Sequence, residues 1–464
     1  MPRAPSFSKL QLNGITIATF LLLLVALLFG GASRLHELRL AAVELAALPL
    51  LVLAVLAIVH KKLFNEHRLA LLVLLGVAAI PLVQLIPLPP QIWTGLPGRS
   101  ELSLGLEVVG LSPQWAPATL TPDKTWRSFM ALLPPAAMFL GVLCSTSVAR
   151  SQLSRFLLIF ALVGMALGTV QIASGGDRFY PWPTTDAGNF TGFFANRNHM
   201  ATLCLIGMPF ATTVAVSAIR RGDRHAQLSI WFALLYLAAT TVAVGLIQSR
   251  IGIALYGPTL AASLLAAWIA SGRGRPRVLL LALVGGSGLI VAALGAFAIG
   301  PLLARFQSGP ASEGRFENWP TVAEAATTYL PAGSGIGSFD AVYRSVEPLT
   351  RLDPTYFNQA HNDYLESWLE TGWLGAAVLI AFLYWFGKRV WTAWSARAGE
   401  QRDLQRAASI AIGVVLLHSA GDYPIRTVAV ATLFALCCGL LELSTRTDAD
   451  LSPTNPSRKR RSVG

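Results

Sequence analysis

Apolar residues come in long blocks separated by short polar breaks, from residue 13 to residue 444. A helix that crosses a bilayer needs about 20 mostly apolar residues. Twelve segments meet that requirement: 13–32, 41–60, 69–89, 127–146, 156–174, 199–219, 227–247, 251–271, 278–302, 373–393, 407–421 and 427–444. The segment at 407–421 is the shortest of them. Twelve spans put both termini on one side of the membrane. No small-residue cleavage site follows the first apolar block and eleven more blocks follow it, so it reads as a retained helix and not as a cleaved signal.

Two polar stretches break the pattern. Residues 90–126 are rich in Pro, Gly and Trp, and 303–372 form a soluble piece of about seventy residues between two spans. Connections this long are usually functional. The second contains helix-like stretches at 318–329 and 361–371, joined by turns at Gly333, Gly335 and Gly337. The chain ends in a polar tail, 445–464, with a basic cluster from Arg458 to Arg461, read as a solvated tail touching anionic lipid. No repeat of 20–50 residues is present.

Composition narrows the class. The 464 residues are 54% hydrophobic and 13% charged, with mean hydropathy +0.56, whereas a soluble domain is about 25% charged. That excludes a soluble enzyme, a disulfide-rich secreted module and a disordered chain, and predicts an all-α polytopic membrane protein. The net charge of +12 would point to nucleic acid on a soluble chain. Here it reflects basic residues gathered in cytoplasmic loops, and no nucleic-acid partner is implied. With both termini inside, 23 of the 36 Lys and Arg fall in inner segments and 13 outside. That orientation places 90–126 and 303–372 on the outer face. Cys144, Cys204, Cys437 and Cys438 all lie in apolar stretches, so neither a disulfide framework nor a CxxC metal site is indicated.

Candidate chemistry collects at the outer ends of the predicted helices, where burying charge is costly unless it serves a purpose. Asn196, Arg197, Asn198 and His199 crowd the start of one span, either as interfacial caps or as a patch for an anionic or sugar ligand. Ser249-Arg250 joins two spans with almost no loop, and a guanidinium pinned there suits phosphate oxygens. Arg315, Glu317 and Trp319 precede the glycine run 333–337, whose tight turns would leave backbone N–H groups free. This is not a P-loop, because no Lys-Ser/Thr follows. The densest cluster is His361-Asn362-Asp363-Tyr364-Leu365-Glu366, continuing to Glu370 and Gly372. If helical from Asn362, it puts Asp363, Glu366 and Glu370 on one face. No second His or Cys lies at ligand spacing, so no metal site is expected. His418 and Asp422 end the eleventh span, as a core histidine or as part of the same pocket.

His361-Asn362, nine residues, and Gly372-x-x-Gly375 resemble the signature of the bacterial O-antigen ligase family, whose superfamily also holds O-antigen polymerases. Asn196/Asn198, Ser249-Arg250, Arg315…Trp319…Gly333 and His418…Asp422-x-Pro424 follow in the order that family shows, over roughly 190–425. The resemblance divides the chain into N-terminal helices with the first outer loop (1–190), an O-antigen-ligase-like catalytic region (191–425) and a last helix with its basic tail (426–464). It implies an inner-membrane glycosyltransferase of the class that uses lipid-linked sugars. Such an enzyme moves a glycan from undecaprenyl diphosphate to lipid A–core or another glycan acceptor on the periplasmic face, with no metal and no other cofactor. Arg250 and Arg315 would contact the donor diphosphate and His361 would be catalytic. Asn196, Arg197, Asn198, Asn362, Asp363, Glu366, His418 and Asp422 would support or bind substrate. The chemistry agrees independently: arginines can stabilise a diphosphate leaving group, and a neutral histidine can accept the proton of a sugar hydroxyl near pH 7. A polymerase using the same donor, transfer to a protein, and a twelve-span transporter are the alternatives. Against transport, the polar residues sit at helix ends and not at the bilayer midplane.

Overall fold

The computed structural model describes residues 7–32, 37–175, 178–182, 188–222, 224, 226–271, 285, 288, 314–351, 357–396 and 399–442. The predicted span 278–302, the side chain of Arg315 and the tail 445–464 lie outside the described residues.

The architecture is all-α. Helices α1 (Phe7–Phe29), α2 (Glu37–His60) and α3 (Arg68–Gln84) lead into a first loop with the short helices α4 (Pro90–Trp93) and α5 (Ser100–Val108). A two-residue antiparallel pair, β1 (Pro87–Leu88) with β2 (Ala116–Pro117), closes that loop. Then come α6 (Pro122–Ala131), α7 (Leu133–Cys144), α8 (Ser147–Ala173), α9 (Arg197–Arg221), α10 (Ala226–Ile247) and α11 (Arg250–Ser271). The second loop carries α12 (Gly314–Thr328) and α13 (Phe339–Val346). The chain re-enters the helical body through α14 (Asp363–Ser395), α15 (Glu400–His418) and α16 (Val428–Leu441). Eleven of the twelve predicted spans thus correspond to helices. Seven are long and apolar enough to cross a membrane, and Gly14–Phe29, α3 and α16 are shorter apolar helices.

Boundaries differ where charge is buried. The apolar run 407–421 is short because α15 starts seven residues earlier, and its first turns bring Asp403 and Arg406 inside the protein. Arg406 is fully buried and donates to the carbonyls of Ala393 (3.1 Å) and Ala396 (2.6 Å), with Asp403 3.2 Å away. Arg220 pairs with the other oxygen of Asp403. Glu442 is likewise buried, accepting from Trp385 (2.6 Å), facing His67 at 3.0 Å and paired with Arg389. A charge in such a place is tolerable only when paired and hydrogen-bonded, so apolar length alone understates this helix.

One helix organises the packing. Nearly every residue of α9 is buried, between α8, α10, α11 and α15. Lipid supplies no hydrophobic drive between helices, so close approach through small residues matters. Gly207 lets Tyr236 of α10 lie where a Cβ would be 1.8 Å from its hydroxyl, which donates to the Cys204 carbonyl at 3.1 Å. A second group packs α7 between α2 and α16, with α1 alongside, and one continuous core joins the two groups. The N-terminal helices therefore share a core with the last one. All four cysteines are buried and free.

Both long loops lie at one end of this body. There Gln84, at the end of α3, accepts from the Ile336 amide (2.9 Å) and donates to the Glu370 carbonyl (2.8 Å). Exposed tryptophans mark two levels, Trp126 and Trp373 at the loop end, and Trp231, Trp268 and Trp391 at the other. Trp373 and Trp391 are separated along α14 by about 27 Å at 1.5 Å per residue, close to the ~30 Å hydrocarbon core. Interfacial belts of tryptophan are placed this way. The same helical rise from Trp268 back along α11 sets Arg250 at the level of Trp373.

The helix α14 breaks at that level. Gly372 has φ +54° and ψ −143°, and a Cβ there would lie 2.2 Å from the Pro331 carbonyl oxygen. The bend lets the first turns of α14 lean over the membrane boundary while the rest crosses it. Gly372→Ala is expected to lower the melting temperature of the detergent-solubilised protein, through left-handed backbone strain of about 1–2 kcal/mol plus the clash with Pro331. Gly387→Ala, later in the same helix with open space around it, should melt like the wild type.

Candidate functional site

Three stretches far apart in sequence meet at the loop end: 196–202, 357–370 and 418–426. Asp422 joins them. It is fully buried in the turn between α15 and α16. One carboxylate oxygen accepts from the Asn198 side chain, and the other lies 3.3 Å from His361 Nδ1 and accepts from the Tyr423 amide at 2.9 Å. Burial alone would raise this carboxyl. The hydrogen bond from His361 and the nearby His361, His199 and His418 hold it below the ordinary carboxylate range instead. Asp422 therefore stays ionised through the neutral range. Its contribution to stability, present above about pH 4, is lost only as acid protonates it.

His361 sits just ahead of α14 in the left-handed region, φ +50°. That conformation is uncommon for a residue with a Cβ and costs of order 1–3 kcal/mol where the surroundings enforce it. Ala360 is gripped from two sides, its N–H by Glu366 (2.7 Å) and its carbonyl by the Trp319 indole of α12 (2.9 Å). On the other side Asn362 caps the helix, accepting from Tyr364 and Leu365 N–H at 3.1 Å. The Asp363 amide donates to the Ser419 carbonyl at 2.9 Å. The imidazole stands against Tyr423 (ring centroids 4.8 Å apart) and Phe357 (5.7 Å) and keeps about a fifth of its side-chain surface open. With Nδ1–H directed at Asp422, Nε2 is left as an acceptor.

The predicted acidic face of α14 exists, but it meets a cation that the sequence reading did not name. Arg426 reaches Glu366 at 2.9 Å, Glu370 at 3.1 Å and Asp363 at 3.4 Å. Glu366, Glu370 and Asp363 are all buried. Burial works against the Arg426 charge, and the carboxylates of Glu366, Glu370 and Asp363 more than offset it, holding the guanidinium above its ordinary range. Three carboxylates on one helical face require a counter-ion, and that requirement was the available signal for Arg426. Asp363 and Glu366 thus face Arg426 and the backbone, while His361 faces the opening.

Asn196 caps α9 by accepting from the Asn198 amide (2.8 Å), and Arg197 donates to the Asn189 side chain (2.8 Å). His418 is buried, 2.9 Å from the Thr202 hydroxyl, which also donates to the Asn198 carbonyl. Arg250 opens α11 after a two-residue turn and is half-buried. Its neighbour Ile251 packs beside Gly421, next to Asp422. Arg315 lies one turn before Trp319 in α12.

The glycine run overturns one expectation. Its amides are not free. Those of Ser334 and Gly335 bind the Leu369 and Glu370 carbonyls (3.0 and 2.9 Å), and those of Gly337 and Phe339 bind the Glu370 carboxylate (2.9 and 3.3 Å). The loop clamps α14 and is no anion cradle. Among the described residues no group of three His, Cys, Asp or Glu is placed to hold a metal ion.

Removing Arg426 leaves three buried carboxylates unpaired, so Arg426→Met should destabilise the protein by about 3–5 kcal/mol. Denaturant unfolding in detergent measures this, and adding Glu366→Gln and Glu370→Gln to that variant should recover part of the loss.

Residues 233–380 match the family described as O-Antigen ligase. A search of curated proteins finds no match. The matched stretch runs from α10 into α14 and holds Arg250, Arg315 and His361, whereas Asn198, His418, Asp422 and Arg426 lie outside it. The chain is thus an all-α polytopic membrane protein in which residues 233–380 are similar to the O-antigen ligase family.

Proposed function

We propose that the protein transfers a glycan from undecaprenyl diphosphate to an acceptor hydroxyl at the periplasmic face of the inner membrane, and that it acts as a ligase onto lipid A–core or a related surface glycan. The observation that carries this reading is the Asp422–His361 pair at the membrane boundary. The donor's lipid belongs in the bilayer and its sugars in water, so the reacting bond lies at that boundary. An ionised, buried Asp422 orients His361 and favours the tautomer whose Nε2 can take the acceptor's proton, as in carboxylate–histidine dyads of hydrolases. The acceptor oxygen then attacks the anomeric carbon, the bond from that carbon to the diphosphate oxygen breaks, and the diphosphate leaves with the electron pair. Arg250, at the level of Trp373, and Arg315, one turn from the tryptophan that grips Ala360, are the cations assigned to the leaving diphosphate. No metal is invoked in this scheme. A polymerase that transfers the glycan to another lipid-linked repeat would use the same residues.

His361→Asn should lower turnover about 10²–10⁴-fold with donor binding largely retained, in an assay with purified protein, lipid-linked donor and acceptor. Asp422→Asn should lose comparable activity, because the amide no longer favours the base tautomer. Arg250→Lys should restore little relative to Arg250→Ala, since Lys keeps the charge and loses the planar fork. Near-wild-type turnover of His361→Asn would remove the dyad from the mechanism. In cells lacking the protein, unligated lipid-linked polymer marks a ligase and single repeats mark a polymerase.

The proposed orientation has the loop end in the periplasm and both termini in the cytoplasm, following the split of Lys and Arg. A membrane-impermeant thiol reagent added to whole spheroplasts should modify a single cysteine at Thr350 and leave one at Arg224 untouched. The reverse pattern would invert the orientation.

A further inference from the structure

The first loop is rooted firmly and carries a short helix none of whose residues is buried. At its root, Arg99 is buried, donates to the Ala118 carbonyl and lies 5.5 Å from the Tyr329 ring. Gly98 sits so close to Tyr329 that a Cβ would be 2.4 Å from the ring. The Trp93 indole holds the returning strand through the Gln114 carbonyl at 2.8 Å. Tyr329 leads directly into Pro331, whose carbonyl accepts from the Trp373 amide at 3.0 Å. The root of the loop therefore stands at the depth of Trp373, the membrane boundary.

Beyond that root, none of the nine residues of α5 is buried. Val108 is 78% exposed, Trp115 66%, Val109 65%, Leu104 60%, Leu111 58% and Leu102 48%. Six exposed large apolar side chains crowded into residues 102–115 mark an interaction site. The segment 100–115 carries Glu101 and Glu107 and no Lys or Arg, so attraction to anionic headgroups does not drive its docking.

The geometry points to residues 100–115 as an interfacial anchor that lies in the headgroup–acyl boundary of the leaflet at the loop end, held by its leucines, valines and Trp115. The occupant of its apolar surface is lipid. Both ends of the segment are tied to apolar helices of the body, α3 before it and the candidate span α6–α7 after it. Insertion therefore gives up little freedom, and the apolar side chains leave water without a partner protein. This differs from basic amphipathic anchors, which depend on negative lipid.

The four native cysteines are buried, so a single added cysteine can carry a fluorophore in the otherwise unchanged full-length protein. Val108→Cys and, as a water-facing control on α12, exposed Ala323→Cys are labelled with a bimane reagent in phosphatidylcholine nanodiscs. Phosphatidylcholine brominated on its acyl chain should quench the label at 108 several-fold more than at 323, and iodide in the buffer should do the opposite. Neither result should change when phosphatidylglycerol is added or salt is raised. Equal iodide quenching at both sites would overturn the proposal, because the segment would stand in water. Protection at 108 from both quenchers would also overturn it, by showing a protein cover, whether a second copy or another chain. Lipid quenching that requires phosphatidylglycerol and vanishes with salt would refute the apolar mechanism.

Discussion

The loop end of this protein depends on placing one cation among three carboxylates. Asp363, Glu366 and Glu370 lie on the inner face of the first turns of α14 and would be very costly there without Arg426. With it, they become the joint between the second loop and the helical body. Glu366 holds Ala360, Glu370 holds the glycine run, and Asp363 is tied to Ser419 beside the turn that carries Asp422. The acids act on the site at second hand, by fixing the backbone on either side of His361.

That arrangement explains how an uncommon backbone conformation persists at His361. The chain must turn sharply from the second loop into α14, and the turn falls on a residue with a Cβ, at φ +50°. Three independent grips enforce it: the Trp319 indole on the Ala360 carbonyl, Glu366 on the Ala360 amide, and the Asn362 cap. The result directs the imidazole toward Asp422 and the Tyr423 ring, and away from the acid–Arg426 network. Strain of this kind is typical of a side chain held for chemistry.

The two ends of the helical body treat charge differently. At the far end, Arg406, Asp403, Glu442 and Arg389 are consumed in pairs that fasten α9, α14, α15 and α16 to one another. At the loop end, the acids are satisfied by Arg426 and the backbone, while His361 is left partly open and Arg250 half-buried at the membrane boundary. Polar groups in contact with a bilayer must be satisfied within the protein. Those that remain accessible at one face therefore mark where a ligand from that face can be met.

The sequence by itself determined the all-α membrane class and eleven of the helices, because apolar length alone decides whether a segment can cross lipid. It also determined the acidic face of α14, because 3.6-residue periodicity fixes which side chains are neighbours. The O-antigen ligase resemblance was legible in the motif around His361 for the same local reason. What only the tertiary structure decided was pairing across distance. That Arg426 answers three acids about sixty residues earlier, that Asn198 and His361 share Asp422, and that the amides of the glycine run are occupied by Glu370 are all contacts between segments that no local pattern links. The start of α15 escaped for a related reason, since its buried charges look polar along the chain and are neutralised only by partners that folding brings to them.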